Sequence, residues 1–263
     1  MLRDAIKKHY LGMNQGFRYR GEEPGRLENF SDAVFALAIT LLLISTTPPT
    51  NFEQIKRFTY DLIPFLLCIV LIMVIWHEHF VFFFRYGLRN GRIILLNTLF
   101  LVIVLFYVYP LKFLARLILI PVASLTNNDI LLKEFSGMIR AEDIGDLMII
   151  YGIGAASVFF VLMLMYRYAL RNADQLDLNE IERFDTQVRV QSNFLMGIIP
   201  VFSIILSLIF RGHWVAGLIG GFTYFLYTPV MMIHGRRVDR KREKILIKQA
   251  AQSQIALAQA DSA

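Results

Sequence analysis

The sequence predicts an all-α, polytopic membrane protein with six transmembrane helices, and three observations predict it. Of 263 residues, 56% are apolar and only 18% charged, with a mean hydropathy of +0.51, more apolar than a water-soluble domain needs to fill its core. Charge-free stretches recur: Ala33 to Phe52, Ile93 to Leu111, Leu147 to Tyr166, Val190 to Phe210 and Gly212 to Gly235 contain no Asp, Glu, Lys or Arg. At about 1.5 Å per helical residue such stretches cross, or nearly cross, a hydrocarbon core of about 30 Å. Finally, the basic residues gather in alternate connecting segments, as insertion into a bilayer requires.

The six expected spans run over 27–47, 61–83, 92–119, 145–167, 190–210 and 213–234. The first is too long for the apolar run of a cleaved signal peptide (about 7–15 residues), and no small-residue cleavage site follows in Ile44 to Pro49, so it reads as a retained helix. The second, charge-free from Leu62 to His77, continues through His79 to Phe84 with Glu78 as its single charge. Two outer loops are expected, Pro48 to Tyr60 opening on Pro-Pro, and Pro121 to Gly145, which carries Asp129, Glu142 and Asp143 and reads as a solvated loop or a cation-concentrating mouth. Gly152, Gly154 and Pro200 are candidate breaks in spans four and five. The inner segment Arg171 to Arg189 reads as a surface helix or loop, and the Ala- and Gln-rich tail after Lys248 as helical or disordered.

Orientation follows from Lys and Arg. Arg3, Lys7, Lys8, Arg18, Arg20 and Arg26 precede span one; Arg85, Arg89 and Arg92 follow span two; Arg167, Arg171, Arg183 and Arg189 follow span four; and the cluster from Arg236 to Lys248 follows span six. Both termini are therefore expected in the cytoplasm, which an even number of spans also demands. The chain divides into a cytoplasmic segment 1–25, a transmembrane domain 26–235 and a basic cytoplasmic tail 236–263. The same asymmetry accounts for the net charge of +6 through anionic lipid headgroups, so membrane lipid is an expected partner and nucleic acid is not. Catalysis and metal binding find no support. His77-Glu78-His79 lacks the H-E-x-x-H spacing, its histidines pointing about 200° apart on a helix, and Ser31 has no G-x-S-x-G context. The single Cys68 forms no intramolecular disulfide. No catalytic residue, metal site or cofactor is expected.

Chemistry concentrates in the first span, Arg26 to Ile44. On a helix, Phe30, Leu37, Leu41 and Ile44 fall on one narrow apolar stripe and Asp32 on the far side. An acid within a span costs about 2.5–3.5 kcal/mol on insertion scales, so Asp32 needs a partner or water. Antiparallel neighbours supply partners at one depth: Trp76, His77, Glu78 and His79 near the end of span two, and Asn97 near the start of span three. With Ser31 and Arg26 they would form a polar network whose simplest role is to fix helix register.

The string Arg26-x-x-x-Phe30-Ser31-Asp32, followed by Ala33 to Leu42, resembles the first-helix signature of the TMEM175 family, and Trp76-His77 and Asn97 resemble that family's partners for the motif. The resemblance is strongest over 26–110. It implies a homotetramer whose central pore is lined by the first helix and conducts cations, potassium preferentially and protons as a further permeant. It places hydrophobic constriction rings at Leu37, Leu41 and Ile44, a polar ring at Thr40, and a structural network at Arg26, Phe30, Ser31, Asp32, Trp76, His77 and Asn97. Such a pore would close by dewetting and lacks the T-V-G-Y-G carbonyl filter. The competing reading is an ion-coupled secondary transporter, although the ionisable residues lie toward the inner face while midplane positions are apolar. Six spans without a second repeat point to a prokaryotic plasma membrane.

Overall fold

The structure, a computed structural model, describes residues 17–44, 50–125, 139–140, 142–211 and 215–260. Among these residues all regular structure is helical: α1 (Arg26–Ile44), α2 (Phe52–Tyr60), α3 (Leu62–Tyr86), α4 (Gly91–Leu125), α5 (Ile144–Arg171), α6 (Glu180–Ile209) and α7 (Val215–Phe222), which passes through the 3-10 turn Thr223–Leu226 into α8 (Tyr227–Ala260). Among the described residues, five segments are long and apolar enough to cross a membrane: α3, α4 over Gly91–Val108, α5, α6, and the run Val215–Lys248. The expected first span is the 19-residue α1.

Several elements differ from the sequence reading. The outer loop before span two contains a helix, α2, on which Phe52, Ile55 and Phe58 make an exposed apolar stripe. Helix α4 runs on to Leu125, into the expected outer loop; most of that loop, including Asn127, Asn128 and Asp129, lies outside the described residues. Helix α6 starts at Glu180, well before the expected span, because Asn179 and Glu182 form a reciprocal capping box there. The basic tail continues helically through Ala260.

Gly152, Gly154 and Pro200 interrupt neither α5 nor α6. Pro200 lacks the N–H that would bond the Met196 carbonyl, and the Tyr227 hydroxyl donates to that carbonyl instead, at 3.0 Å. The glycines let helices approach: a Cβ at Gly152 would lie 2.7 Å from Ile204 Cγ1, and one at Gly154 2.5 Å from the Tyr107 ring.

The core lies where α1, α3, α4 and α5 meet. Phe82 packs edge-on against Tyr166 with ring centroids 5.2 Å apart. The arm before α1 belongs to it, since Phe17 is buried and the Arg85 guanidinium lies 4.7 Å from its ring centroid. The arm also satisfies carbonyls at the end of α3: Arg20 N donates to Arg85 O and Gly21 N to Phe84 O. Gly87, with φ 57°, ends α3 in the left-handed region that suits glycine.

Candidate functional site: the first helix and its polar anchor

Helix α1 packs on α3 and α4. Ser31, Phe35, Ala38 and Leu42, spaced at helical intervals, are buried against them. The opposite side stays uncovered within the chain: Phe30 is 61% and Leu37 50% exposed, Thr40 is exposed and Leu41 half-buried. Thr40 Oγ1 donates to Ala36 O at 2.9 Å, which leaves its acceptor lone pairs facing outward. Ile44 ends the helix, and its side chain lies outside the described residues.

The buried face carries a polar chain across three helices. Ser31 Oγ donates back to Leu27 O at 2.8 Å, and Asn97 Nδ2 of α4 donates to Ser31 Oγ at 2.9 Å. With its amide nitrogen so used, Asn97 turns Oδ1 to His79 Nε2 of α3, 2.7 Å away, so Nε2 carries the imidazole proton. Ser31, Asn97 and His79 are all buried, and His79 is enclosed by Phe35, Phe83 and Phe100, the last stacked at 5.4 Å. A separate bond joins α3 to α1: Trp76 Nε1 donates to Asp32 Oδ1 at 2.8 Å.

Of the expected network the structure thus brings together Ser31, Asp32, Trp76, His79 and Asn97, and it leaves out His77, which the family resemblance names. His77 is exposed, because α3 turns it to the opposite side. Trp76 and His79, three apart, share the face toward α1 and α4, a spacing that could have selected His79 from the sequence. Arg26 is exposed and has no hydrogen-bond or ion-pair partner among the described residues, while Phe30 lies on the uncovered stripe.

Ion pairs between distant segments also escaped the sequence reading, among them those at Asp61, Glu78 and Glu182. Asp61, just before α3, receives Arg116 Nε at 2.8 Å and Lys112 Nζ at 3.2 Å, accommodating two cations of α4. Glu78 of α3 pairs with Arg189 of α6 at 2.9 Å. The fully buried carboxylate of Glu182 takes Arg18 and Arg20 at 3.2 and 3.0 Å; the hydrogen bonds to Glu182 and then Asp177 raise the Arg18 guanidinium above its ordinary value. Among the described residues no three His, Cys, Asp or Glu side chains converge on a possible metal position.

Over 240 residues the chain is 43% identical to a potassium channel of Marivirga tractuosa, an alignment covering 90% of this chain and 96% of that one. The chain belongs to the TMEM175 family. The model of that family, described as endosomal/lysosomal potassium channel TMEM175, matches residues 26–107, the part that holds α1, the Trp76–Asp32 bond and the Ser31–Asn97–His79 chain. A further relative, a potassium channel of Chamaesiphon minutus, is 30% identical over 109 residues, 38% of this chain and 54% of its own. The TMEM175 fold is also evident in three dimensions: a crystal structure of a variant of the potassium channel MtTMEM175, bound to a nanobody–MBP fusion, superposes with a TM-score of 0.78 at 42% identity, covering 87% of this chain and 99% of that one. These TMEM175 relatives are named as channels and not as enzymes, and none is named as a coupled transporter.

Proposed function

We propose that this chain is the subunit of a potassium channel, a homotetramer in a prokaryotic plasma membrane with both termini in the cytoplasm, whose pore is lined by α1. The observation that carries the reading is the division of α1 into two faces. Ser31, Phe35, Ala38 and Leu42 anchor one face to α3 and α4, while Phe30, Leu37 and Thr40 on the other touch little of their own chain. A channel assembled around that second face would present rings of Leu37, Leu41 and Ile44 to the permeating ion, with Thr40 supplying oxygen beside them. Rings of this kind close by dewetting, and their width sets how much of the hydration shell an ion must shed. The Ser31–Asn97–His79 chain and the Trp76–Asp32 bond hold the helix in the rotation that aims those residues inward. On this reading the six spans are α1, α3, α4, α5, α6 and the α7–α8 run, and the names of the 43% identical relative and of the superposed structure support potassium as the permeant ion.

The test is potassium flux through purified protein in liposomes, with sodium as the competing cation. Potassium-preferring flux in the wild type, with altered selectivity or rate in Leu41→Ala, is expected. Folded, inserted protein that passes neither ion would overturn the proposal.

A further inference from the structure

The inner ends of α4 and α5 form an open-sided cavity of about 380 Å³. Arg92, Leu95 and Leu96 of α4 and Leu164, Arg167 and Arg171 of α5 line it. On each helix these residues recur at three- and four-residue intervals, so one face of each turns into the cavity. Its wall is almost wholly apolar, built of leucine side chains and the aliphatic stems of the arginines. It lies where the charge-free stretches of the two helices end, one residue before Ile93 and just after Tyr166, which is the depth of lipid headgroups.

The three guanidinium groups differ from most arginines near them. Arg18, Arg20, Arg89, Arg183 and Arg189 each reach a carboxylate, whereas among the described residues Arg92, Arg167 and Arg171 reach none. Arg92 instead lies 5.9 Å from the centroid of the Tyr168 ring, whose hydroxyl accepts from Asn90 Nδ2 at 2.7 Å. Three like charges thus surround one apolar cavity, and among the described residues no carboxylate lies within ion-pair distance of them. A small hydrated anion would answer the charge but gain nothing from the leucine wall. A neutral lipid would answer the wall but not the charge.

We propose that this cavity binds one anionic phospholipid, its phosphate bridging Arg92, Arg167 and Arg171 and an acyl chain lying against Leu95, Leu96 and Leu164. The assignment rests on the proposed inward orientation only for the choice of leaflet, and not on the pore. Each arginine near an anionic headgroup contributes roughly fivefold in binding, so the three together give a preference well above tenfold.

The test is native mass spectrometry of the purified full-length protein in detergent, equilibrated with phosphatidylglycerol or with phosphatidylcholine of the same acyl chains. Wild type should retain phosphatidylglycerol at least tenfold better. The triple variant Arg92→Gln, Arg167→Gln, Arg171→Gln should lose that preference, and so should Leu164→Trp, which keeps the charges but fills the cavity. Millimolar inorganic phosphate should not displace the lipid. Equal retention of the two lipids by wild type, full preference in either variant, or complete displacement by phosphate would overturn the site. Potassium flux from the same preparation separates the two proposals: conduction without lipid preference sinks only the lipid site, and preference without conduction sinks only the channel.

Discussion

Pairing between His79 and Asn97 is the most exposed consequence of the polar anchor, because each is the other's buried partner. Their contact is 2.7 Å long and both side chains are shielded, so removing one strands the other. An unsatisfied buried group costs about 1–3 kcal/mol in general, whereas hydrogen bonds between membrane helices average about 0.6 and reach about 1.7 kcal/mol. Asn97→Leu also withdraws a donor from Ser31, but Ser31 keeps its bond to Leu27, which limits that part of the loss. His79→Phe keeps ring volume among Phe35, Phe83 and Phe100, so its cost is mainly the lost polar contact. Each single variant should therefore lose about 1–2 kcal/mol, and the double variant about 1 kcal/mol less than their sum. Reversible unfolding in mixed detergent micelles, read as a double-mutant cycle, measures this directly. A coupling below about 0.3 kcal/mol would refute a direct buried hydrogen bond and with it the anchoring role.

Other substitutions probe the remaining joints. Asp61→Asn leaves the buried Lys112 ammonium without its carboxylate; breaking a buried pair costs about 3–5 kcal/mol, and with Arg116 32% exposed the lower end, about 3 kcal/mol, is expected in the same unfolding assay. Tyr227→Phe removes the hydroxyl that serves the Met196 carbonyl opposite Pro200 and should cost about 1 kcal/mol, with no change in helix content by circular dichroism. Gly87→Ala meets both a φ of 57° and the Arg20 carbonyl 2.7 Å from the new Cβ, so a loss of at least about 1–2 kcal/mol is expected. Release of the arm should appear as faster proteolysis at Arg18 and Arg20.

Much of the fold was legible because a bilayer leaves few alternatives to helices, and because charge-free length is read directly from composition. What the sequence hid is where polar groups compensate one another. Lys112 and Arg116 fall within the expected third span, 92–119, and Asp61, which answers them, lies 51 residues earlier than Lys112, so only the folded chain brings them together. The helical state of Glu180 to Arg189 was ambiguous because its charges fit a solvated loop as well as a helix; the capping box at Asn179 and the pairing of Glu182 with Arg18 and Arg20 decide it. At the polar anchor, Ser31, Asp32, Trp76 and Asn97 followed from depth and motif. His77 was preferred to His79 because the motif names the dipeptide, whereas helical phase puts His79 toward Asn97.

Whether the uncovered face of α1 meets the ion is best tested by thiol modification. Cys68 is buried and is the only cysteine, so a Cys68→Ala background carries none. In bilayer recordings on that background, a charged methanethiosulfonate reagent should block current through Leu37→Cys and Leu41→Cys but leave Leu42→Cys, one residue on and fully buried against the bundle, unaffected. Block at Leu42→Cys with none at Leu37→Cys or Leu41→Cys would place the conduction path on another face and contradict a pore lined by this side of α1.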